Sequence, residues 1–304
     1  MDYKRIIKNE HTRYAILNAL EFIPDSLMVK LQYRIKTGRT LNLSNPKRYT
    51  EKLQWYKLFY RNYLMSVCAD KFDVRSYVKS KGLDSILNEN YGVFDNISNI
   101  NWEILPKQFV FKDTLGGGGR SIIFVHDKNN IDIRMTEKLL QTWLETPINR
   151  KSLGREWIYE GKRHRIIAEK ILVSGTDGDL PDYKFFCFNG KVFCLYLMQN
   201  YTMHHEKGVL GFLDRDFNLL KAHRADFKPM LIQPQKPKNY ELMVEMAELL
   251  SDGFPHVRVD FYNLNGKIVF GEMTFFNASG YTVFEPDIFD FVLGKEFKLP
   301  DANN

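Results

Sequence analysis

The chain predicts an α+β fold, antiparallel in its body and preceded by a short, mainly helical, basic N-terminal segment. Three observations predict it. Apolar residues recur at helical spacing in the first 82 positions, without the strand–helix alternation of a parallel nucleotide-binding sheet. From residue 105 the pattern changes to short strand-like runs, and two pairs of runs are joined by Asn-Gly dipeptides, a hairpin signal. Charge divides along the chain as well: residues 1–82 carry 17 Lys or Arg against 7 Asp or Glu, and the remainder carries 26 against 30.

The elements follow in order. Ile16, Leu17, Leu20 and Ile23 share one helical face, and Pro24-Asp25 breaks it. Residues 27–35 give a second, basic helix. Asn45-Pro46 is a turn, after which a third helix runs from Thr50 to about Tyr60. A fourth spans 70–81 and stops at Gly82. Residues 109–112 form a strand, 116–119 a glycine loop and 121–125 the return strand. A helix covers 135–145, and a strand covers 165–173. Strands 183–189 and 191–199 meet at Asn189-Gly190; after a helix at 240–252, strands 257–262 and 267–274 meet at Asn265-Gly266.

Composition bounds the class. With 44% hydrophobic and 14% aromatic residues among 304, the chain can bury a sizeable core, which excludes intrinsic disorder. No apolar run approaches the roughly 18–20 residues of a membrane span. Residues 1–10 are polar and charged, unlike a signal sequence. Cys68, Cys187 and Cys194 make neither a disulfide framework nor a zinc spacing, as expected of a reducing compartment. The basic N-terminal third suits an anionic partner: a phosphorylated substrate, an acidic polysaccharide, a membrane surface or nucleic acid. Solvated helix faces are the plain alternative.

Three constellations carry chemistry. Lys112 precedes Gly116, Gly117, Gly118, Gly119 and Arg120. Four successive glycines are costly for a bare turn, and fit a loop whose N–H groups approach phosphate oxygens. A flexible hairpin tip is the alternative, and no Gly-Lys-Ser/Thr follows, so this is not a P-loop. Asp260 and Glu272 lie on paired strands, where facing carboxylates repel unless a cation or protons sit between them. Hard oxygen ligands fit Mg²⁺, with nucleotide phosphates completing its shell. Arg258, two positions before Asp260, points to the same face and suits an anion. Lys184, among the aromatics of 183–188, either meets an anion or lies on a solvent face. Cys187 and Cys194 read as core residues. His204, His205 and His256 read as loop or core histidines, with a base for an incoming amine as the sharper alternative.

Taken together, these features resemble the ATP-grasp fold, two α+β subdomains sandwiching ATP, and more closely the TupA-like ATP-grasp family. The likeness covers about residues 45–295. It is carried by Asn45-Pro46-Lys47-Arg48-Tyr49-Thr50-Glu51-Lys52-Leu53-Gln54-Trp55, by Lys184-Phe185-Phe186-Cys187-Phe188-Asn189-Gly190-Lys191, and by Phe254-Pro255-His256-Val257-Arg258-Val259-Asp260-Phe261-Tyr262 with Gly271-Glu272-Met273-Thr274-Phe275. The resemblance implies ATP and two Mg²⁺ ions. Lys112, Lys184 and Lys71 would reach the phosphates, with 116–119 as a mobile lid ending in Arg120. Glu169 would accept from the adenine amino group, and the backbone around Lys170 and Leu172 would pair with the base. Asp177 or Asp179 would take the ribose. Asp260 and Glu272 would hold metal, completed by Thr274 or Asn277, because the Glu-x-Asn of many ATP-grasp enzymes is absent. Arg258 would steady the acyl phosphate and the tetrahedral intermediate.

The activity so implied is an ATP-dependent amide ligase of capsular or other surface-polysaccharide biosynthesis. It would join a hexuronic acid, free as a nucleotide sugar or carrier-linked, to an amino acid or amino alcohol. The expected organisation is 1–68 as a basic acceptor-binding segment, 69–172 as the lid-bearing part and 173–304 as the metal-bearing part. Expected partners are the carboxylate, the amine and, peripherally, the inner membrane or polysaccharide assembly enzymes, but no nucleic acid. The expected location is the cytoplasm, including the inner face of the membrane. Two other classes remain: a glycosyltransferase, given Asp177-Gly178-Asp179 and Asp214-Arg215-Asp216, and a kinase or binder using the same ATP site.

Overall fold

A left-handed Gly38 (φ 75°) closes the first described helix, α1 (Asp25–Thr37), donating its N–H to Arg34 O at 3.0 Å. The structure, a computed structural model, describes residues 19–117, 119, 121–148, 151–173, 179–200 and 208–301. Residues 16–18 of the first expected helix, Gly118, Arg120, Asp177, His204 and His205 therefore lie outside the described residues.

Helix α2 (Tyr49–Phe59) follows the Asn45-Pro46 turn, as the sequence leads one to expect. Glu51 Oε2 accepts from the N–H groups of Lys47 and Arg48 at 2.9 and 3.1 Å, satisfying donors at the helix start. Helix α3 (Tyr63–Ala69) is capped by Asn62, and α4 (Val74–Ser80) ends before the left-handed Gly82. The helix starts four residues later than the expected residue 70: Asp70 Oδ1 accepts from Phe72 N and Asp73 N, which makes a turn there instead.

The smaller sheet contains β1 (Asn90–Phe94), β2 (Phe109–Asp113), β3 (Ile122–Val125) and β4 (Ile166–Glu169) in the antiparallel order β1-β4-β2-β3. Helix α5 (Ile133–Leu144) packs on it, and Phe109, Phe111, Leu140, Trp143 and Ile166 form a core of its own. The larger sheet is β11-β10-β5-β6-β7-β9. Its strands are β5 (Asp182–Phe188), β6 (Lys191–Gln199), β7 (Val209–Asp214), β9 (Lys228–Pro229), β10 (His256–Leu264) and β11 (Lys267–Thr274). All pairs are antiparallel except β7–β9. Both expected hairpins form, with positive φ at Asn189, Gly190, Asn265 and Gly266, as a two-residue primed turn requires. A separate pair joins β8 (His223–Arg224) to β12 (Phe284–Glu285).

Side chains alternate across β5, so neighbours Phe185 and Phe186 serve opposite faces. Phe185 packs on Tyr240 of α6 (Tyr240–Ser251), and Phe186 packs on Tyr49 of α2. Helix α7 (Ile288–Glu296) closes over α2: Asp290 accepts from the N–H and hydroxyl of Thr50 at 3.0 and 2.8 Å. The face bearing Phe186 also carries Lys184, two residues earlier, and Lys184 is buried there. No helix of the described residues is long and apolar enough to cross a membrane.

Candidate active site

Register brings the sheet residues together. Asp260 pairs with Glu272 on one side and with Lys184 on the other. Period-2 alternation puts Arg258 and Asp260 on one face, and the guanidinium lies along the carboxylate: Nε reaches Asp260 Oδ1 and one terminal nitrogen reaches Oδ2, both at 2.7 Å. The same nitrogen reaches Glu272 Oε1 at 2.7 Å and Thr274 Oγ1 at 3.0 Å. Lys184 Nζ sits 2.5 Å from both Asp260 Oδ2 and Asp182 Oδ2. The two facing carboxylates are thus reconciled by protein cations.

Burial sets the electrostatics. Asp260 is 1% exposed and Lys184 is buried, so the solvent-face alternative does not hold for Lys184. Burial pushes the Asp182 carboxyl up to about 6, against the pull of Lys184. Lys184 and Arg258 are raised well above their ordinary values: burial works against their charge, but the adjacent carboxylates outweigh it. Burial works against the Glu272 charge as well, yet Arg258, Lys184 and Lys71 bring its carboxyl down to about 2. Its side chain is 44% exposed, and Oε2 is free of hydrogen bonds among the described residues.

These residues fit Mg²⁺. The donors are hard oxygens, and Glu272 presents an ionised, outward oxygen. The absence of a cluster of three or more His, Cys, Asp or Glu among the described residues is no obstacle, because Mg²⁺ usually keeps waters and phosphate oxygens in its shell. Thr274 donates to Glu272 Oε1 at 3.0 Å, and Asn277 Oδ1 accepts from Arg258 at 2.5 Å.

The smaller sheet supplies a second group. Lys112 Nζ meets Glu169 Oε2 at 2.9 Å, and Arg75 of α4 approaches Glu169 Oε1 at 3.4 Å. Glu169 is buried at the end of β4. Lys170 donates its N–H to Glu89 O and accepts from Asn88 Nδ2 at its carbonyl, which keeps one lone pair in hand. Leu172 lies in the loop beyond β4, half-buried. Asp179 Oδ2 accepts from Asn200 N at 2.8 Å.

Lys71 joins the two groups. Its ammonium donates to Gly116 O at the start of the glycine loop, and its N–H bonds Thr114 O at 3.0 Å. Burial lowers it, with Glu272 pulling the other way, so Lys71 lies within electrostatic reach of the metal-type carboxylate as well as of Lys112.

Sequence reasoning missed a supporting layer. Residues 278–280 form a turn with Ala278 (φ 47°), Ser279 (φ 54°) and Gly280 (φ 75°) all left-handed. For the first two residues that conformation costs about 1–2 kcal/mol each. Helix α2 holds it. Lys57 Nζ donates to Ser279 O (2.8 Å), Ser279 Oγ (3.1 Å) and Gly154 O (3.0 Å), and Gln54 Nε2 donates to Ser279 O (3.0 Å) and Gly280 O (2.9 Å). Burial draws the Lys57 ammonium down to about 7, partly offset by Glu156. A lysine on the otherwise apolar face of Tyr49, Leu53 and Tyr56 was the available signal. His256 is a core histidine: Nε2 meets Tyr49 OH and Nδ1 meets Cys187 O, each at 2.9 Å. Cys187 and Cys194 are buried as expected.

A family model described as TupA-like ATPgrasp matches residues 51–298. A comparison with curated proteins finds no match. Among solved structures, the D-alanine–D-alanine ligase from Bacillus anthracis is similar at 15% identity and TM-score 0.39, over 68% of this chain and 57% of that one. The N5-carboxyaminoimidazole synthetase from Staphylococcus aureus, complexed with ADP, is similar at 12% identity and TM-score 0.43, over 79% and 54%. The D-alanine–D-alanine ligase from Helicobacter pylori is similar at 12% identity and TM-score 0.44, over 84% and 70%. The chain thus spans little more than half the length of the first two.

Proposed function

The chain belongs to the TupA-like ATP-grasp family, and from that premise we propose that it is an ATP-dependent carboxylate–amine ligase. The observation that carries this reading is the facing of two charged groups. Arg258, Asp260, Glu272 and Lys184 lie on the larger sheet, Lys112 and Glu169 lie on the smaller, and Lys71 with the glycine loop lies between them. The carboxylate of the first substrate attacks the γ-phosphorus of ATP, giving an acyl phosphate and ADP. The amine then attacks the acyl carbon and phosphate leaves. Chemistry of this kind needs positioning and charge neutralisation more than a protein nucleophile. Lys112 and Lys184 neutralise phosphate oxygens, and Lys71 holds the glycine loop by Gly116 O. Glu169, Lys170 and Leu172 receive the adenine, and Asp177 or Asp179 the ribose. Arg258 holds the acyl phosphate and the oxyanion that forms when the amine attacks. Asp260 and Glu272, with Thr274 or Asn277, would hold Mg²⁺, whose bound charge neutralises the transferring phosphoryl group.

The finer reading is a hexuronic acid of a surface polysaccharide or its precursor as the acid, and an amino acid or amino alcohol as the amine. Exposed Lys30 and Arg34 on α1 support an acidic acceptor. In this reading residues 1–68 meet the acceptor, 69–172 carry the lid and 173–304 carry the metal ligands. Work in the cytoplasm at the inner membrane face, beside polysaccharide assembly enzymes, belongs to the same reading.

Asp214 does not support the glycosyltransferase alternative. Its Oδ1 accepts from Asp216 N and Asn218 N at 3.0 and 2.8 Å, the bonding of a tight turn after β7. The test is a screen of uronic acids against amines. ADP and phosphate should appear only when both substrates are present. Glu272→Gln and Lys112→Ala should each lower turnover by about a hundredfold or more with the fold intact. Wild-type rates in both variants would remove the site assignment. Release of UDP from a sugar nucleotide would favour a transferase, and a stable phosphorylated product without amine a kinase.

A further inference from the structure

We propose that Lys57 of α2 is a positioning residue for Arg258: it fixes the left-handed turn at 278–280, the turn fixes Asn277, and Asn277 fixes the guanidinium. The inference rests on the reading of Arg258, Asp260 and Glu272 as the triphosphate end of the site.

Each link is a contact. The Lys57 ammonium is 1% exposed and surrounded by three oxygen acceptors, two of them on Ser279. Ala278 and Ser279 occupy a backbone region that L side chains rarely adopt, so the turn needs bonds from outside itself to persist. Lys57 and Gln54 supply them from adjacent positions on one helix face. The packing is tight: a Cβ on Gly280 would lie 3.1 Å from Leu53 Cβ and closer still to the Gln54 amide, so this part of α2 and the turn cannot shift independently.

The turn starts at Asn277, which is 1% exposed. Its Oδ1 accepts from Arg258 Nη1 at 2.5 Å, while its Nδ2 has no hydrogen-bond partner among the described residues. The amide is therefore held by its backbone and by one side-chain bond. On the guanidinium, Nη2 is shared among Asp260, Glu272 and Thr274, whereas Nη1 meets, among the described residues, Asn277 and Tyr196 OH, the latter at 3.1 Å. If Asn277 withdraws, the fork loses its shortest bond on the Nη1 side and keeps there only the longer one to Tyr196 OH, while the two carboxylates and Thr274 pull from the other side. It can then settle into the space that a metal-bound triphosphate needs. Adenine, which in the proposed reading is received at the end of β4 on the smaller sheet, is indifferent to that change.

The test compares nucleotides by calorimetry on the full chain. Lys57→Met should weaken Mg²⁺-bound AMP-PNP about tenfold, while AMP stays within about twofold. Adding Ala278→Gly, which makes the left-handed turn inexpensive without touching any contact, should restore at least half of the loss on a logarithmic scale. A purely structural lysine predicts parallel weakening of both nucleotides and no rescue, and either result overturns the proposal, as does unchanged AMP-PNP binding. If Lys57→Met does not fold, Gln54→Met removes the bonds to Ser279 O and Gly280 O, the other two that hold the turn, and carries the same expectations. A crystal structure of the folded variant decides the matter without nucleotide. Asn277 Oδ1 should move beyond about 3.5 Å from Arg258 Nη1, and an intact bond overturns the proposal. A wild-type chain that binds neither nucleotide would sink the ATP reading, and the crystallographic result would still settle the role of Lys57.

Discussion

His256 shows how much a single buried titratable side chain can report. It lies in the core with no exposed surface, stacked 4.8 Å from the Phe188 ring, and it accepts from Tyr49 while donating to Cys187 O. Burial, with some help from Arg258, lowers it from its ordinary value to about 3. The folded state then resists a proton that the unfolded chain accepts from about pH 6.5 downward. The stability from neutral His256 is present above pH 6.5 and is lost as the pH falls towards 3. The contribution to the slope is at most about 1.4 kcal/mol per pH unit. His256→Phe should lower stability at neutral pH but flatten the dependence of unfolding free energy on pH across that window, measured by urea unfolding. Parallel pH profiles for the two proteins would mean that His256 does not titrate there. Arg258, Asp260 and Glu272 were legible in the sequence, since strand periodicity and an Asn-Gly turn suffice to bring them together. Lys57, Gln54 and Asn277 were not legible as partners. The contacts of Lys57 and Gln54 with Ser279 join positions more than 200 residues apart, and the bond from Arg258 to Asn277 depends on the left-handed turn they hold, so no local pattern encodes them.

At the scale of elements, glycines explain both what was legible and what was hidden. The hairpins β5–β6 and β10–β11 announce themselves through Asn-Gly. β7 and α7 do not, because each has a glycine in its interior, which ordinarily argues against a regular element. The structure requires both. A Cβ on Gly211 in β7 would lie 2.8 Å from Leu219 and Met230, and one on Gly294 in α7 would strike the backbone of residues 47–49 where α2 begins. β1 was hidden for another reason: all five residues are half-buried, so no apolar–polar alternation appears. The lid glycines are not equivalent either. A Cβ on Gly116 would sit 2.9 Å from Ser121 Cβ and 3.1 Å from Asp113 Cβ, at the base of the loop where Lys71 is bound, whereas Gly117 has open space. Gly116→Ala should therefore raise the KM for ATP roughly tenfold to a hundredfold by splaying the loop base. Gly117→Ala should leave it within about twofold. Equal effects would show that backbone freedom along the whole loop, not the fit at its base, is what matters.

Across the whole molecule, two cores of unequal size face each other over the charged groups. One joins the larger sheet to α2, α6 and α7; the other holds the smaller sheet and α5 around Phe109, Phe111 and Trp143. A small core stabilises its own sheet less than the large core does, because it buries less apolar surface. Such a unit is expected to open by itself at a free energy below that of global unfolding. That suits the proposed site, in which one wall would carry the loop over the phosphates. Native-state hydrogen exchange should show amides of β2, β3 and β4 exchanging through an opening less costly than the one exposing β5, β6 and β10. Phe111 is fully buried, with its ring 4.9 Å from Phe109 and 5.7 Å from Trp102. Phe111→Ala should lower the opening free energy of the smaller sheet by about 3–5 kcal/mol, or to nothing if it began lower, and leave β5 and β10 protection nearly unchanged. Mg²⁺-bound AMP-PNP at 100 times its dissociation constant should restore about 2.7 kcal/mol to the smaller sheet if opening abolishes binding. If β2 and β5 lose protection together in the variant, the cores form one cooperative unit, and motion of one wall against the other is not the source of access to the site.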